Sequence, residues 1–254
     1  MEKSKMEVLN GKTILLGVTG SIAAYKSPLL VRELVKRGAE VHVIVTNAAT
    51  KFVSPLTLAN LSRNKVIVDM FDDESQTSGA WHIELAHKCD AMLIAPCSAT
   101  TLGKLAMSIC DNPLVSVAIA LPANVPLLIS PAMDSTMWMH PATRRSLNFV
   151  ESDGAIIIPP TDGDLSSGFS GPGRFPEIND IVKILEDNLL NQKGKLRYQS
   201  NLKYKTKYKS TKYDDMTDNP LNHVFDKPTE PVAESVEKDK WNAELELENL
   251  KKKL

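Results

Sequence analysis

Two loops concentrate the residue types that suit anion binding: Gly17, Gly20 and Ser21 in "GVTGSIAAYK", and Ser98, Thr100 and Thr101 in "IAPCSATTLGKLA". Each closes an apolar run and opens an amphipathic one. Glycine lets the backbone turn tightly, and hydroxyls beside helix-start amides meet negative charge where the helix dipole favours it. The spacing is neither GxGxxG nor GxxxxGK[ST], which disfavours a nucleoside triphosphate. A phosphate-bearing cofactor and a plain strand–helix turn both remain open for the first loop. For the second, a phosphate or flavin edge competes with simple capping.

Three other stretches could carry chemistry. His82 starts the amphipathic segment "GAWHIELAHKCD", where a histidine serves either as a structural residue or as an acid–base group. "PAMDSTMW", residues 131–138, sets Asp134 near two methionines at the end of an apolar run. "DLSSGFSGPGRFPE", residues 164–177 and including Arg174, reads as a flexible connector or as a mobile lid over a cleft. Cys89, Cys97 and Cys110 lack CxxC spacing, so neither a zinc site nor a disulfide framework is expected, and no metal is assigned.

The elements that position these residues follow from the apolar pattern. "KTILLGVTG", "EVHVIVT", "AMLIAP", "PLLISPAM" and "AIIIPP" read as buried strands rich in β-branched residues. Between the first two, "SIAAYKSPLLVRELVKRG" reads as one helix with Ser21 as N-cap and Gly38 as its stop. Further helices are expected near 55–62, 82–88, 99–109 and 141–153. The βαβ alternation predicts an α/β fold: a doubly wound, Rossmann-like (flavodoxin-like) parallel sheet flanked by helices, followed by a C-terminal extension. Ligands of such sheets bind beyond the carboxyl ends of the strands. Gly17–Ser21, Thr46–Asn47, Ala95–Thr100 and Ser130–Asp134 fall there and are expected on one rim.

A net charge of -1 argues against bulk nucleic-acid binding, and Met1 to Lys12 has no secretory apolar core. No apolar window is long enough to span a membrane, so no membrane partner and a cytoplasmic location are expected. The folded domain is expected over 1–190, with 191–254 a charged tail, partly disordered or helical. From Asn191 to Tyr213 the tail has eight basic residues, no acids and four tyrosines; from Asp214 to Glu248 it has eleven acids. A solvated extension and an arm that binds another protein or RNA are both consistent with this pattern.

Together and in this order, five stretches resemble the homo-oligomeric flavin-containing cysteine decarboxylases. They are "GVTGSIAAYK", "WHIELAHKCD", "APCSATT", "PAMDSTMW" and "LSSGFSGPGR". The resemblance runs from about residue 11 to 190 and looks nearest the branch that decarboxylates 4'-phosphopantothenoylcysteine in coenzyme A biosynthesis. It implies FMN as cofactor, contacted by Gly20, Ser21, Thr46, Ser98, Thr100, Ser116 and Met133. It implies His82 as the active-site histidine, catalytic positions at Asp134 and Ser167, and substrate contacts at Ala132, Met137 and Arg174. It also implies a homo-trimer or higher oligomer with sites between subunits, and these could be mixed with a paralogue. Three positions depart from the family pattern. Asp134 stands for the family's asparagine, Ser167 for its clamp cysteine and Thr100 for the asparagine of the flavin loop. An ionised Asp134 would repel a substrate carboxylate, so activity through it would require a protonated Asp134. The departures therefore admit a second reading, a flavin-binding pseudoenzyme with a structural or regulatory role.

Overall fold

The computed structural model describes residues 8–71, 80–191 and Arg197. The chain divides into Met1–Ser200 and Asn201–Leu254, and every described residue lies in the first unit. The expected arm and terminal helix of the tail lie outside the described residues, Arg197 excepted.

β1 (Thr13–Val18), β2 (Glu40–Val45), β3 (Ala91–Cys97), β4 (Leu127–Pro131) and β5 (Ile156–Ile157) form a parallel sheet in the order β2-β1-β3-β4-β5. This is the flavodoxin-like order, whose winding reverses between β1 and β3. The helices are α1 (Ser27–Lys36), α2 (Pro55–Ser62), α3 (Trp81–Lys88), α4 (Ala99–Ala106), α5 (Pro113–Ile119), α6 (Ser135–Met139), α7 (Pro141–Ser152) and α8 (Ile178–Asn191). β6 (Thr161–Asp164) and β7 (Ser170–Arg174) pair as a separate antiparallel hairpin.

β3 and β4 are buried at every position, which is why they read as unbroken apolar runs. β1 sends Ile14, Leu16 and Val18 into one apolar layer and Leu15 into the other. The first layer packs Leu30, Val31 and Leu34 of α1 with Ile181, Val182 and Leu185 of α8. At its edge Arg37 donates to buried Glu186 at 2.9 and 3.0 Å and to Glu33 at 2.9 Å. Burial works against the Arg37 charge, but the two acids outweigh it and raise its pKa. The second layer gathers Leu102 and Leu105 of α4, Leu114 and Val117 of α5, and Leu147 and Val150 of α7.

Several expectations change. The single helix over 21–38 is a 3-10 turn, Ile22–Lys26, followed by α1. Ser21 stands at the N-cap position of that turn but makes no capping bond. Gly38 does end the segment, in the left-handed region at φ +89. α5, α6 and α8 were absent from the sequence reading. The supposed flexible stretch 164–177 is instead largely the β6–β7 hairpin and the start of the link to α8.

Candidate functional site

Thr19 joins the two hydroxyl-bearing loops at the point where the sheet reverses. Its buried hydroxyl donates to the Pro96 carbonyl at 2.8 Å and accepts from the Ser98 amide at 2.7 Å. Its own amide donates to the same carbonyl at 3.3 Å. The loops after β1 and β3 are thereby locked to each other. The neighbouring Gly20 packs against the loop after β2, where a Cβ would come 2.4 Å from that of Ala48. A glycine is needed here for close approach.

α4 begins at Ser98, whose Oγ accepts from the Thr101 amide at 3.3 Å. The amides of Ala99 and Thr100 lie in the first turn, where no intrahelical acceptor exists. Thr100 is exposed and Ser98 half-buried. Around these groups lies a cavity of about 280 Å³, lined by Gly20, Thr46, Ser98, Thr100, Thr101 and Lys104 among others. Lys104 Nζ is 2.5 Å from Asp111 Oδ2, and this contact, followed by Asn112, draws the Asp111 pKa down.

A second cavity, about 300 Å³, opens on the other side of the same loop and includes Ser21, Lys26, Met133, Asp134, Ser167 and Arg174. Ser21 Oγ donates to the Ala132 carbonyl at 2.9 Å, fastening the loop after β1 to the loop after β4. Ala132 is buried and lines this cavity as well. The roof is the hairpin, held to the 133–135 segment at three places. The Met133 amide donates to Gly173 O at 3.1 Å, Ser135 Oγ to Pro172 O at 2.7 Å, and Ser167 Oγ to Asp134 Oδ2 at 2.6 Å. Gly173, at φ +128, could not carry a Cβ, which would lie 2.2 Å from Met133 O. Far from being a loose lid, the hairpin is stapled down.

Asp134 and Ser167 thus touch each other across 33 positions of sequence. Asp134 also caps α6, accepting from the Thr136 amide at 2.9 Å and from the Thr136 hydroxyl. The Ser167 bond, then the Thr136 hydroxyl and amide, hold its carboxyl below the usual aspartate range. These bonds favour the ionised carboxylate of Asp134. Arg174 donates to Glu177 at 2.9 Å. Cys97 cannot supply a thiol to either cavity, since it is fully buried and burial pushes its pKa strongly upward.

The expected single rim is thus two adjoining cavities. Gly20, Thr46, Ser98 and Thr100 come together in the first; Ser21, Ala132, Met133, Asp134, Ser167 and Arg174 come together in the second. Three expected residues join neither. Ser116 turns its hydroxyl to Asn112 O at 2.9 Å, back along α5. Met137 is 48% exposed, while Trp138 packs inward beneath the Arg144 guanidinium. His82 lies at the start of α3 with its ring edge-on to Trp81, 5.8 Å between centroids. Sequence reasoning missed Thr19, Lys26 and Lys104; the clue to Thr19 was its place between the two glycines that end β1. No described helix is long and apolar enough to cross a membrane. Among the described residues no group of three His, Cys, Asp or Glu could hold a metal.

The model of the family described as Flavoprotein matches residues 2–190. The Bacillus subtilis coenzyme A biosynthesis bifunctional protein CoaBC is 40% identical over 73% of this chain, and the chain covers 45% of its length. A probable phosphopantothenoylcysteine decarboxylase of Streptococcus mutans is 41% identical over 70% of the chain and 99% of its own length. Among solved structures, a Cys→Ser variant of PPC decarboxylase complexed with pantothenoylaminoethenethiol is similar at TM-score 0.61 and 34% identity, over 68% of this chain and 96% of that one. The FMN-dependent cysteine decarboxylase TvaF of thioviridamide biosynthesis gives TM-score 0.51 and 31% identity, over 57% and 88%. The match takes in both hydroxyl-bearing loops, the segment around Asp134 and the hairpin, and by it the chain belongs to the flavoprotein family.

Proposed function

We propose that this chain binds FMN across its two cavities and decarboxylates a cysteine-derived thiol, with 4'-phosphopantothenoylcysteine as the candidate substrate. The observation that carries the reading is the pairing of the cavities at the reversal between β1 and β3. One has the donors a phosphate needs, and the other is a roofed pocket on the far side of the same loop. Hydroxyls of Thr46, Ser98 and Thr100, amides of the first turn of α4 and the Lys104 ammonium form a donor set that fits a phosphate monoester. Met133, half-buried in the second cavity, offers an apolar flank for a flat ring.

Bound flavin would supply the two-electron oxidation of the thiol that no side chain can perform. The chain's own residues do the rest. The stapled hairpin holds Ser167 and Asp134 against each other at the edge of the second cavity. Ser167 spends its single proton on Asp134 and, as an alcohol, is a far weaker acid than a thiol. The chain therefore lacks at that position a group to protonate the decarboxylated product, and we place release at the enethiol stage. The names of relatives agree with this outline: two name coenzyme A biosynthesis or phosphopantothenoylcysteine decarboxylase, and one solved neighbour is a Cys→Ser variant holding an ethenethiol. His82 stands outside both cavities, which favours completion of the site by a second chain, either another copy or a paralogue. The ionised Asp134 is what favours the pseudoenzyme reading. Purified protein should be yellow and release FMN on denaturation. Incubation with 4'-phosphopantothenoylcysteine in air should yield a product lighter by CO2 and two hydrogens, the two hydrogens leaving with the flavin, which dioxygen would reoxidise. A colourless protein sinks the cofactor; a yellow protein that leaves the substrate unchanged favours the pseudoenzyme.

A further inference from the structure

Four charged side chains line the second cavity: Lys26, Asp134, Asp164 and Arg174. A carboxylate entering this space has few places to go. Asp134 accepts from Ser167 Oγ at 2.6 Å, from the Thr136 amide at 2.9 Å and from the Thr136 hydroxyl. It is an acceptor with no proton to give. A second carboxylate placed beside it would be repelled. Asp164 adds charge of the same sign. Arg174 is a cation, but Glu177 already engages it at 2.9 Å and its side chain is 43% exposed. Lys26 differs from all three. It is half-buried at the end of the 3-10 turn, and no carboxylate among the described residues lies within ion-pair reach of it. The turn is fixed at its start, because the Ser21 hydroxyl is bonded to Ala132 O at 2.9 Å, next to Met133 and Asp134.

We infer that Lys26 is the residue that receives the substrate's carboxylate in this chain, with Asp134 excluding that group from its own side of the cavity. The assignment rests on the decarboxylase reading above. It resolves the conflict that an ionised Asp134 poses, since the carboxylate need not face it. A compact ammonium on a flexible stem suits this task, because it requires charge without fork geometry.

The test uses the full-length chain loaded with FMN and two ligands that cannot be oxidised at sulfur: 4'-phosphopantothenoylserine and the same molecule without its carboxylate. Calorimetric affinities are compared for the parent, Lys26→Met and Lys26→Arg, with flavin absorbance per chain confirming that each variant is loaded. Lys26→Gln replaces Lys26→Met if the latter loses flavin. The expected result is a loss of at least tenfold for the carboxylate ligand with Lys26→Met, and less than twofold for its decarboxylated partner. Lys26→Arg should stay within about threefold of the parent for both. Equal losses for the two ligands, or none for either, would overturn the role of Lys26 and leave the decarboxylase reading standing. A flavin-loaded parent that binds neither ligand would overturn that reading, and this assignment with it.

Discussion

The two cavities are built on opposite principles although they share a loop. The first is lined by small hydroxyls and glycine, and its charged pair, Lys104 and Asp111, is self-neutralising at 2.5 Å. Its walls belong to loops that Thr19 and Gly20 lock to their neighbours. The second is lined by charges of both signs and roofed by a hairpin that hydrogen bonds hold to the 133–135 segment. A donor set made of hydroxyls and amides serves any phosphate ester, so it tells a reader the class of ligand. Placed charges discriminate between ligands that differ by one group, so the second cavity determines what this particular chain accepts.

The contrast can be broken from either side. Gly20→Val drives two atoms from 2.4 Å toward ordinary contact, and overpacking of that kind costs about 1–3 kcal/mol. Flavin affinity, read by fluorescence quenching, should fall by about ten- to a hundredfold or more. The hairpin should stay in place, as judged by its resistance to trypsin at Arg174. Gly173→Val attacks the other side. A side chain at φ +128 that also meets Met133 O at 2.2 Å cannot keep the staple, so the roof should lift. Loss of substrate-analogue binding in the second cavity by about tenfold or more is expected, with a smaller loss of flavin affinity than Gly20→Val causes. If both variants lost flavin equally, the cavities would not be separable.

A finer test restores the family residues. Asp134→Asn with Ser167→Cys removes the repelling charge and supplies a thiol. Turnover of 4'-phosphopantothenoylcysteine to the saturated thiol should appear or rise about tenfold. A gain much larger than tenfold would indicate that the carboxylate faces position 134 directly. pH sharpens the same point. Asp134 has a folded-state pKa below its unfolded one, so its bonds stabilise the fold above the ordinary aspartate range and are lost only as pH falls through the lowered value. Hairpin protection against proteolysis should therefore be flat from about pH 5 to 8 and drop only below about pH 4. The smallest effect belongs to the first cavity. Asp111→Asn frees Lys104 from an exposed pair, and such pairs contribute little. FMN should bind up to about fivefold more tightly, while riboflavin, which lacks the phosphate, should be unaffected.

What the sequence disclosed follows the physics of each element. Buried parallel strands are continuous apolar runs, so all five were legible, even β5 with its two paired residues. Strand ends in such a sheet are fixed by topology, which is why most of the rim residues lie where expected. α5 escaped because Pro113 to Ala118 are all buried, leaving no polar face to mark a helical period. Its Asn112–Pro113 start was the available signal, and Asn112 does cap it, accepting from Val115 N at 3.1 Å. The hairpin escaped for the opposite reason. Its strands are mostly Gly, Ser, Pro and Asp, and backbone pairing rather than side-chain pattern holds them. Ser21 was placed correctly at a helix start, but whether a hydroxyl caps its own turn or reaches another strand depends on what stands 111 residues away. The contact between Asp134 and Ser167 is of the same kind. Each departure was visible alone, and only the fold shows that they are partners.

Gly20 lines one cavity and Ser21 the other. The two linings thus meet at a single peptide group, and a peptide group is a stiff, planar plate. It is pinned on one side by the approach of Ala48 and on the other by the bond to Ala132. A plate cannot tilt in one compartment and stay level in the other. Any ligand that turns it changes the affinity of its neighbour by some factor, and the neighbour must change the first affinity by that same factor.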